Sequence, residues 1–115
     1  MRNTVEISLR GIAASDALER YIRAEADKLA QVCDCIAGCL VVAEALQPER
    51  ERALYAARLV IRLPGTEFMV NRERPDDVYQ ALSDAFAAAG LRLKEYQRRR
   101  GAARRGSDGK QGPRA

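Results

Sequence analysis

Histidine is absent from the 115 residues of this chain. General acid–base catalysis therefore lacks its most common agent. No glycine-rich stretch follows the pattern of a phosphate-binding loop, and the Pro64-Gly65 pair is typical of a hairpin turn instead. Asp76 and Asp77 form a carboxylate pair, but two acids at the start of a helix explain it without chemistry. We predict no enzyme activity, no catalytic residue and no small-molecule substrate.

The sequence also lacks an apolar run long enough to cross a bilayer, and its first residues lack the apolar core of a secretion signal. We therefore expect no membrane partner and a protein that stays where it is made. Cysteines are few and clustered, not distributed as a disulfide framework, which favours a reducing compartment. The cytoplasm is the expected location.

The three cysteines, Cys33, Cys35 and Cys39, have C-x-C-x3-C spacing. This spacing is compatible with a thiolate-bound metal, with a redox pair, or with small buried side chains between a helix and a strand. A tetrahedral zinc site usually needs a fourth sulfur or imidazole, and here only a carboxylate such as Asp34 is at hand. We favour the packing interpretation and predict no metal and no cofactor.

Charge is unevenly distributed along the chain. Residues 98–115 contain seven basic residues and one acid, whereas residues 1–97 contain 13 basic and 15 acidic residues. A basic end on a nearly neutral body indicates either a polyanionic partner or a disordered, solubilising tail. The length allows one core, so we expect a single domain over residues 1–100 and a disordered basic tail over 101–115.

Periodicity predicts six elements, of which four are strands and two are long helices. Alternation of apolar and polar residues marks the strands, and apolar residues three or four apart mark the helices. Ser15 is the expected N-cap of the first helix, and Pro75 the expected first-turn residue of the second. Gly90, inside the second helix, indicates a bend or a close packing contact. The predicted elements are strands at 5–10, 36–46, 55–63 and 68–72, and helices at 15–33 and 75–100.

The order β-α-β-β-β-α predicts an α+β fold. A helical crossover between the first two strands makes them parallel, and hairpins add antiparallel neighbours. Both helices then bury their apolar stripes on one face of a four-stranded mixed sheet, which gives a two-layer sandwich. The other face is left for solvent or a partner.

Several segments together resemble one family across residues 3–97. They are Val5-Glu6-Ile7-Ser8, Ser15-Asp16-Ala17-Leu18-Glu19-Arg20-Tyr21-Ile22, Lys28-Leu29, Asp34, Ile36, Leu63-Pro64-Gly65-Thr66-Glu67 and Asp76-Asp77-Val78-Tyr79-Gln80-Ala81-Leu82. In this combination the chain resembles the ribosome hibernation promoting factor family, also called sigma 54 modulation protein or ribosome-associated inhibitor. The chain resembles the short type, without the separate domain by which longer members pair ribosomes.

The resemblance implies a fold related to double-stranded RNA-binding domains. It also implies a bacterial stress-response protein that binds the small ribosomal subunit and its rRNA in the decoding channel. Such members silence idle ribosomes by occupancy. Three departures from the family pattern stand out. Ala87 to Leu91 replace the usual basic residues in the middle of the second helix, Val32-Cys33 replace an aromatic pair before the end of the first helix, and Leu9 stands where the family has glycine before Arg10.

RNA recognised by shape and phosphate needs arginine and lysine on a rigid surface. For the first-helix residues a solvated face is the alternative explanation, and for the terminal arginines the alternative is helix-dipole complementation. The candidate rRNA-binding residues are Arg10, Arg20, Arg23, Lys28, Arg92, Lys94, Arg98, Arg99 and Arg100.

A second hypothesis comes from a different functional class. In it, the chain is a divergent protein-interaction module that keeps the fold and uses its open sheet face or a sheet edge to form a homodimer or to bind a regulator.

Overall fold

The computed structural model describes residues 4–46 and 53–108, with side chains through residue 101. The predicted element order is confirmed. The elements are β1 (Thr4–Arg10), α1 (Asp16–Val32), β2 (Gly38–Leu46), β3 (Leu54–Leu63), β4 (Thr66–Pro75) and α2 (Val78–Asp108).

The four strands form one sheet in the order β1-β2-β3-β4. β1 pairs parallel to β2, while β2–β3 and β3–β4 are antiparallel. The parallel pair needs a long connection between its strands, and α1 supplies it. The mixed α+β sheet expected from the sequence is therefore confirmed.

Strand register sorts the side chains onto two faces. Ile7, Val41, Leu59 and Val70 share a row that faces the helices. Glu6, Leu40, Val60 and Met69 share a row on the opposite side, which we call the open face. The odd-numbered residues of β1 and β2 thus contribute to the core, as the alternation predicted.

The core lies between the sheet and the two helices. Its fully buried side chains include Ile22, Leu82 and Leu93 from the helices and Val41, Leu59 and Ile61 from the sheet. No polar or charged residue among those described is buried. α1 and α2 run side by side in the same direction, because Tyr21 lies against Tyr79 and Leu29 lies against Gly90. None of the helices in the described residues has the length and hydropathy of a bilayer-spanning segment.

The caps of α1 follow from its sequence. The Leu18 amide donates to the Ser15 hydroxyl at 3.2 Å, which satisfies an otherwise unpaired N–H of the first turn. Asp16 and Glu19 lie in that turn, where the helix dipole favours negative charge. Ser15 is therefore the N-cap, as predicted.

The predicted Pro64-Gly65 hairpin turn is also present. Leu63 pairs with Thr66, and Gly65 has a φ of +78°, which L residues with a side chain rarely adopt. The tight turn fixes the register of β3 against β4.

The predicted start of the second helix is wrong at Pro75. Pro75 ends β4 opposite Leu54, and the Asp76 amide donates to the Ala53 carbonyl at 2.8 Å, so the hairpin continues to this point. Asp76 then adopts a φ of +64°, a conformation that aspartate tolerates better than most residues. Asp77 is the cap, because its carboxylate accepts the Gln80 amide at 3.0 Å. The helix begins at Val78.

α2 continues to Asp108, past Arg100 where we expected the tail to begin. Gly101 and Gly106 each disfavour helix by only about 1 kcal/mol, while Ala102, Ala103 and the following arginines are strong helix formers. The remaining part of the expected tail, residues 109–115, lies outside the described residues.

Candidate nucleic-acid interface

Positive charge is concentrated in the second half of α2. Between residues 92 and 100 the helix contains five basic residues and a single acid, Glu95. The basic residues are all exposed. They are Arg92, Lys94, Arg98, Arg99 and Arg100.

Glu95 holds two of these arginines. Its carboxylate lies 3.0 Å from Arg99 and 3.7 Å from Arg98, on the exposed side of the helix. The side chains of both arginines are about three-quarters exposed. An exposed pair of this kind contributes about 0–1 kcal/mol, so either guanidinium can exchange the carboxylate for a phosphate at little cost.

Two aromatic side chains anchor other arginines. The Arg92 guanidinium lies 4.6 Å from the centre of the Phe68 ring, and that of Arg100 lies 5.5 Å from the Tyr96 ring. Arg100 also donates to the Tyr96 hydroxyl at 3.4 Å, and that hydroxyl donates to the Pro64 carbonyl at 3.5 Å. These contacts hold the guanidinium groups at fixed positions on the protein.

Tyr96 marks the level at which the sheet ends, because it touches the hairpin turn between β3 and β4. From Tyr96 to Asp108 the helix rises a further distance of about 18 Å. Arg98, Arg99 and Arg100 thus lie on a helical extension that passes the end of the sheet. Arg104 and Arg105 follow on the same helix, in the part whose side chains are not described.

The candidates on α1 lie in a more balanced setting. Lys28 donates to Glu25 at 2.9 Å, and this hydrogen bond raises the pKa of the Lys28 ammonium. Arg23 lies one helical turn from both Glu19 and Asp27. α1 therefore presents Arg20 and Arg23 on an exposed surface that contains about as many carboxylates as basic groups.

Arg10 lies apart from the other candidates. Its neighbour Leu9 packs against the core, so Arg10 projects from the open face, in one row with Glu44 and Glu73. Of the nine candidates, Arg10 alone extends from the side of the sheet opposite to the helices. The structure groups the remaining eight on the helical layer.

Arg72 was not among the predicted candidates, although it is close to two of them. It lines the same hollow as Arg92 and Glu95, at the outer side of β4. Arg72 and Arg92 are 20 residues apart in sequence and lie on different elements, so only the packing of α2 on β4 brings them together.

The aromatic pair Tyr21 and Tyr79 joins the first turns of the two helices. Their rings meet edge to face at 5.1 Å. Burial is the largest cause of the raised pKa of Tyr21, followed by the nearby Glu25 carboxylate. Tyr79 is 41% exposed, and its ring packs on Tyr21, as expected for a packing residue that reaches the surface.

Two of the three cysteines are bonded to each other, and the third is a free thiol. Cys33 and Cys35 form a disulfide at the end of α1, whereas Cys39 is a free, buried thiol whose pKa burial raises to about 11. Of the interpretations open from the sequence, simple packing fits Cys39, and Cys33 and Cys35 are a bonded pair. In the described residues, no group of three or more metal-ligating side chains comes together.

Comparison with known families gives one match, which covers most of the chain. Residues 5–101 match the family described as sigma 54 modulation protein / S30EA ribosomal protein. The chain belongs to this family. Membership makes it a ribosome-associated protein, in agreement with the resemblance found in its sequence. No curated protein matches it.

Solved structures similar to this family member support the fold. A ribosomal subunit interface protein from Coxiella burnetii has 18% identity and a TM-score of 0.65, and the match covers 82% of this chain and 97% of that one. The N-terminal domain of Thermus thermophilus Protein Y has 20% identity and a TM-score of 0.65, with 82% and 94% covered. At this identity the likeness establishes the shared architecture.

Proposed function

We propose that this protein binds the small ribosomal subunit in the decoding channel and inhibits translation by occupying it. The basic half of α2, which extends past the sheet as a helix, is the observation that carries the proposal. Family membership supplies the ribosome as partner. The finer proposal is that the protein binds rRNA in the channel where messenger RNA and anticodons lie. It rests on the exposed, basic surface of the second half of α2.

The geometry of the extension suits a concave RNA surface. Successive residues of an α-helix are rotated by about 100°, so Arg98, Arg99 and Arg100 project in three different directions. With no sheet beneath it, such a helix can meet phosphates on several sides at once. Guanidinium groups also bind phosphate with two parallel hydrogen bonds, which adds geometry to the charge attraction.

Binding of this kind needs no catalytic group. Each basic residue that contacts a phosphate releases condensed counterions, so affinity falls steeply as salt rises. Occupancy of the channel then excludes messenger RNA by steric overlap. The weak exposed pairs made by Glu95 compete little with phosphate, because a phosphate brings at least equal charge with better geometry.

The test is co-sedimentation with purified small subunits over a range of salt concentrations. The triple variant Arg98→Ala/Arg99→Ala/Arg100→Ala is expected to weaken binding and to reduce the slope of log K against log salt by about 2–3. A messenger RNA fragment that fills the channel is expected to compete with the wild-type protein.

The matched control is Arg10→Ala/Arg58→Ala/Arg62→Ala, which removes three positive charges from the open face. This control is expected to leave binding nearly unchanged. Equal weakening by both triples would mean that binding follows net charge alone, and the helical interface would be rejected. If the control binds like the wild type, Arg10 is excluded as an rRNA-binding residue.

A further inference from the structure

The outer edge of β4 is an unpaired strand edge. No strand among the described residues lies beyond β4. The two-residue turn makes Leu63 and Thr66 a hydrogen-bonded pair, and the bonding of antiparallel strands alternates from there. The backbone N–H and C=O groups of Glu67, Met69 and Asn71 therefore point outward. The Asn71 carbonyl accepts a hydrogen bond from the Arg72 side chain at 2.8 Å, which a pairing strand would replace. The backbone of Pro75 also points outward, so pairing with β3 does not need the N–H that proline lacks.

Exposed apolar side chains border this edge from both layers. Among the described side chains, three large hydrophobic ones are exposed, and Met69 at 56% and Leu91 at 70% are two of them. Both line one hollow of about 300 Å³ between β4 and α2. Val70 and Ala88 line it as well. An edge with unpaired backbone groups and apolar neighbours is suited to pairing with another strand.

The flank of α2 above this edge has an ion pair near each of its two ends. Asp84 lies towards the start and accepts from Arg74 at 2.6 Å, while Arg99 lies towards the end and pairs with Glu95 at 3.0 Å. Ala88, Leu91 and the aliphatic part of Arg92 lie between them. A second copy of this flank that runs in the opposite direction brings Asp84 opposite Arg99 at both ends, so the two ion pairs can exchange partners across the interface.

We infer that two copies of this chain associate through β4, in antiparallel register about a two-fold axis at Met69. This arrangement continues the sheet across the dimer and packs the two α2 flanks against each other. Met69 lies opposite Met69 of the second copy, and Leu91 lies beside Arg92 of the second copy. Asp84 lies opposite Arg99 of the second copy.

Both layers are compatible with nearly the same axis. Arg92 lies over Phe68, so the midpoint of the α2 flank, between Leu91 and Arg92, is level with Phe68 and Met69. A two-fold axis there brings Asp84 and Arg99 together in the helical layer. It also places Glu67 opposite Asn71 in the sheet. Shifting the register by two residues would place Glu67 opposite Glu73, and like charges directly opposite each other are destabilising.

The spacing of the two layers agrees with this geometry. α2 packs on both β3 and β4, so its axis lies about half a strand spacing inside β4. Pairing the two β4 strands at about 4.8 Å then places the two α2 axes about 10 Å apart. Packed helices are separated by about 8–10 Å, so strand pairing and helix packing can be satisfied together.

Cysteine cross-linking tests the register directly. In a hydrogen-bonded antiparallel pair the Cα atoms are about 5.5 Å apart, within the range of a disulfide. Met69→Cys is therefore expected to form a cross-linked dimer under mild oxidation. Glu67→Cys is not, because it and its copy are about 14 Å apart along the strands. A mixture of Glu67→Cys and Asn71→Cys chains should cross-link.

Thr4→Cys, an exposed position on the other edge strand, gives the background rate for random collision. The native cysteines are present in every variant and so affect all samples alike. The proposal is overturned if Met69→Cys links no faster than Thr4→Cys, or if Glu67→Cys links to itself as fast as Met69→Cys.

Sedimentation velocity of the unmodified chain tests association without cross-links. Leu91→Glu is expected to weaken the dimer about tenfold or more, because it buries a charge at the centre of the interface. The control Ala24→Glu lies at an exposed position of α1, which packs on β1 at the opposite edge of the sheet from β4, and should dimerise like the wild type. A chain that stays monomeric up to about 1 mM, the weak limit of specific association, or a dimer unaffected by Leu91→Glu, overturns the proposal. Neither measurement contains ribosomes, so both are independent of the proposed function.

Discussion

Gly90 lies in the interior of α2, where its backbone faces α1. Glycine in a helix is about 1 kcal/mol less favourable than alanine unless a neighbour needs the space. A Cβ atom at Gly90 would lie 3.8 Å from Leu29 Cδ2, an ordinary van der Waals distance, with no other contact within 4 Å outside the helix's own backbone. Gly90→Ala is therefore expected to stabilise the protein by about 1 kcal/mol, which raises Tm by roughly 3–6 °C.

Urea unfolding followed by circular dichroism, together with calorimetry, measures this change. The midpoint should rise while the slope of free energy against urea stays the same. Gly65→Ala is the matched control, because no atom lies within 4 Å of its Cβ position but its φ is +78°. The control should destabilise by about 1–2 kcal/mol through backbone conformation alone.

The two substitutions are chemically identical and are expected to have opposite signs. A destabilising Gly90→Ala would refute the reasoning, since it would mean that Leu29 leaves less room for a Cβ atom than 3.8 Å or that α2 must bend at this residue. The sequence alone left both of those explanations open. The space beside Gly90 favours neither.

Three further predictions follow from other contacts. Asp77→Ala should destabilise by about 1 kcal/mol in urea unfolding, because it removes the cap on the Gln80 amide, while Asp77→Asn should retain most of that stability. Burial raises the pKa of Cys39 from 9.0 to about 11, so the thiol stabilises the fold fully below pH 9 and this contribution is lost between pH 9 and 11. Unfolding measured across that range should show a larger loss of stability in the wild type than in Cys39→Ala, by up to about 3 kcal/mol. Bonds from Arg74 and then Gln80 lower the pKa of Asp84 below 3.8, so its stabilisation is present above that pH and is lost on acidification. Acid unfolding of Arg74→Met should lose the larger part of this component, since the Gln80 bond remains, and an identical acid transition in wild type and variant would contradict the prediction.

Local patterns were sufficient to predict most of the fold. The alternation through Leu59, Ile61 and Leu63 identifies β3 because a strand side chain either enters the core or leaves it. The stripe through Leu18, Ile22 and Leu29 identifies α1 for the same reason, with a different period. Such signals depend only on a residue's near neighbours, so they can be found without the tertiary structure.

The ends of α2 needed information that is not local. Proline suits the first turn of a helix and also the outward position of an edge strand. Only the pairing of Pro75 with Leu54 decides between the two. At the other end, a string of glycines with Ser107 and Pro113 indicated disorder, but the helix-forming residues between Gly101 and Gly106 are sufficient to continue α2 as far as Asp108.

The interface was partly accessible from the sequence. The run of arginines at 98–100 was visible at once, and Glu95 could have been paired with two of them from helical spacing. The separation of Arg10 was also implied by the sequence, because a residue that alternates with the apolar side of a strand must face the other way. Arg72 could not have been placed beside Arg92, since their proximity depends on how α2 lies over β4.

The two proposals meet at the flank of α2. Arg92 and Arg99 belong both to the basic surface offered to rRNA and to the surface covered when two β4 edges pair. Lys94 and Arg100 lie elsewhere around the helix, so pairing would cover part of the basic surface and leave part exposed. A dimer would therefore present less positive charge to RNA than two separate chains. If both proposals hold, each phosphate contact made by Arg92 or Arg99 requires dissociation first, and by mass action the small subunit would draw monomers from the dimer.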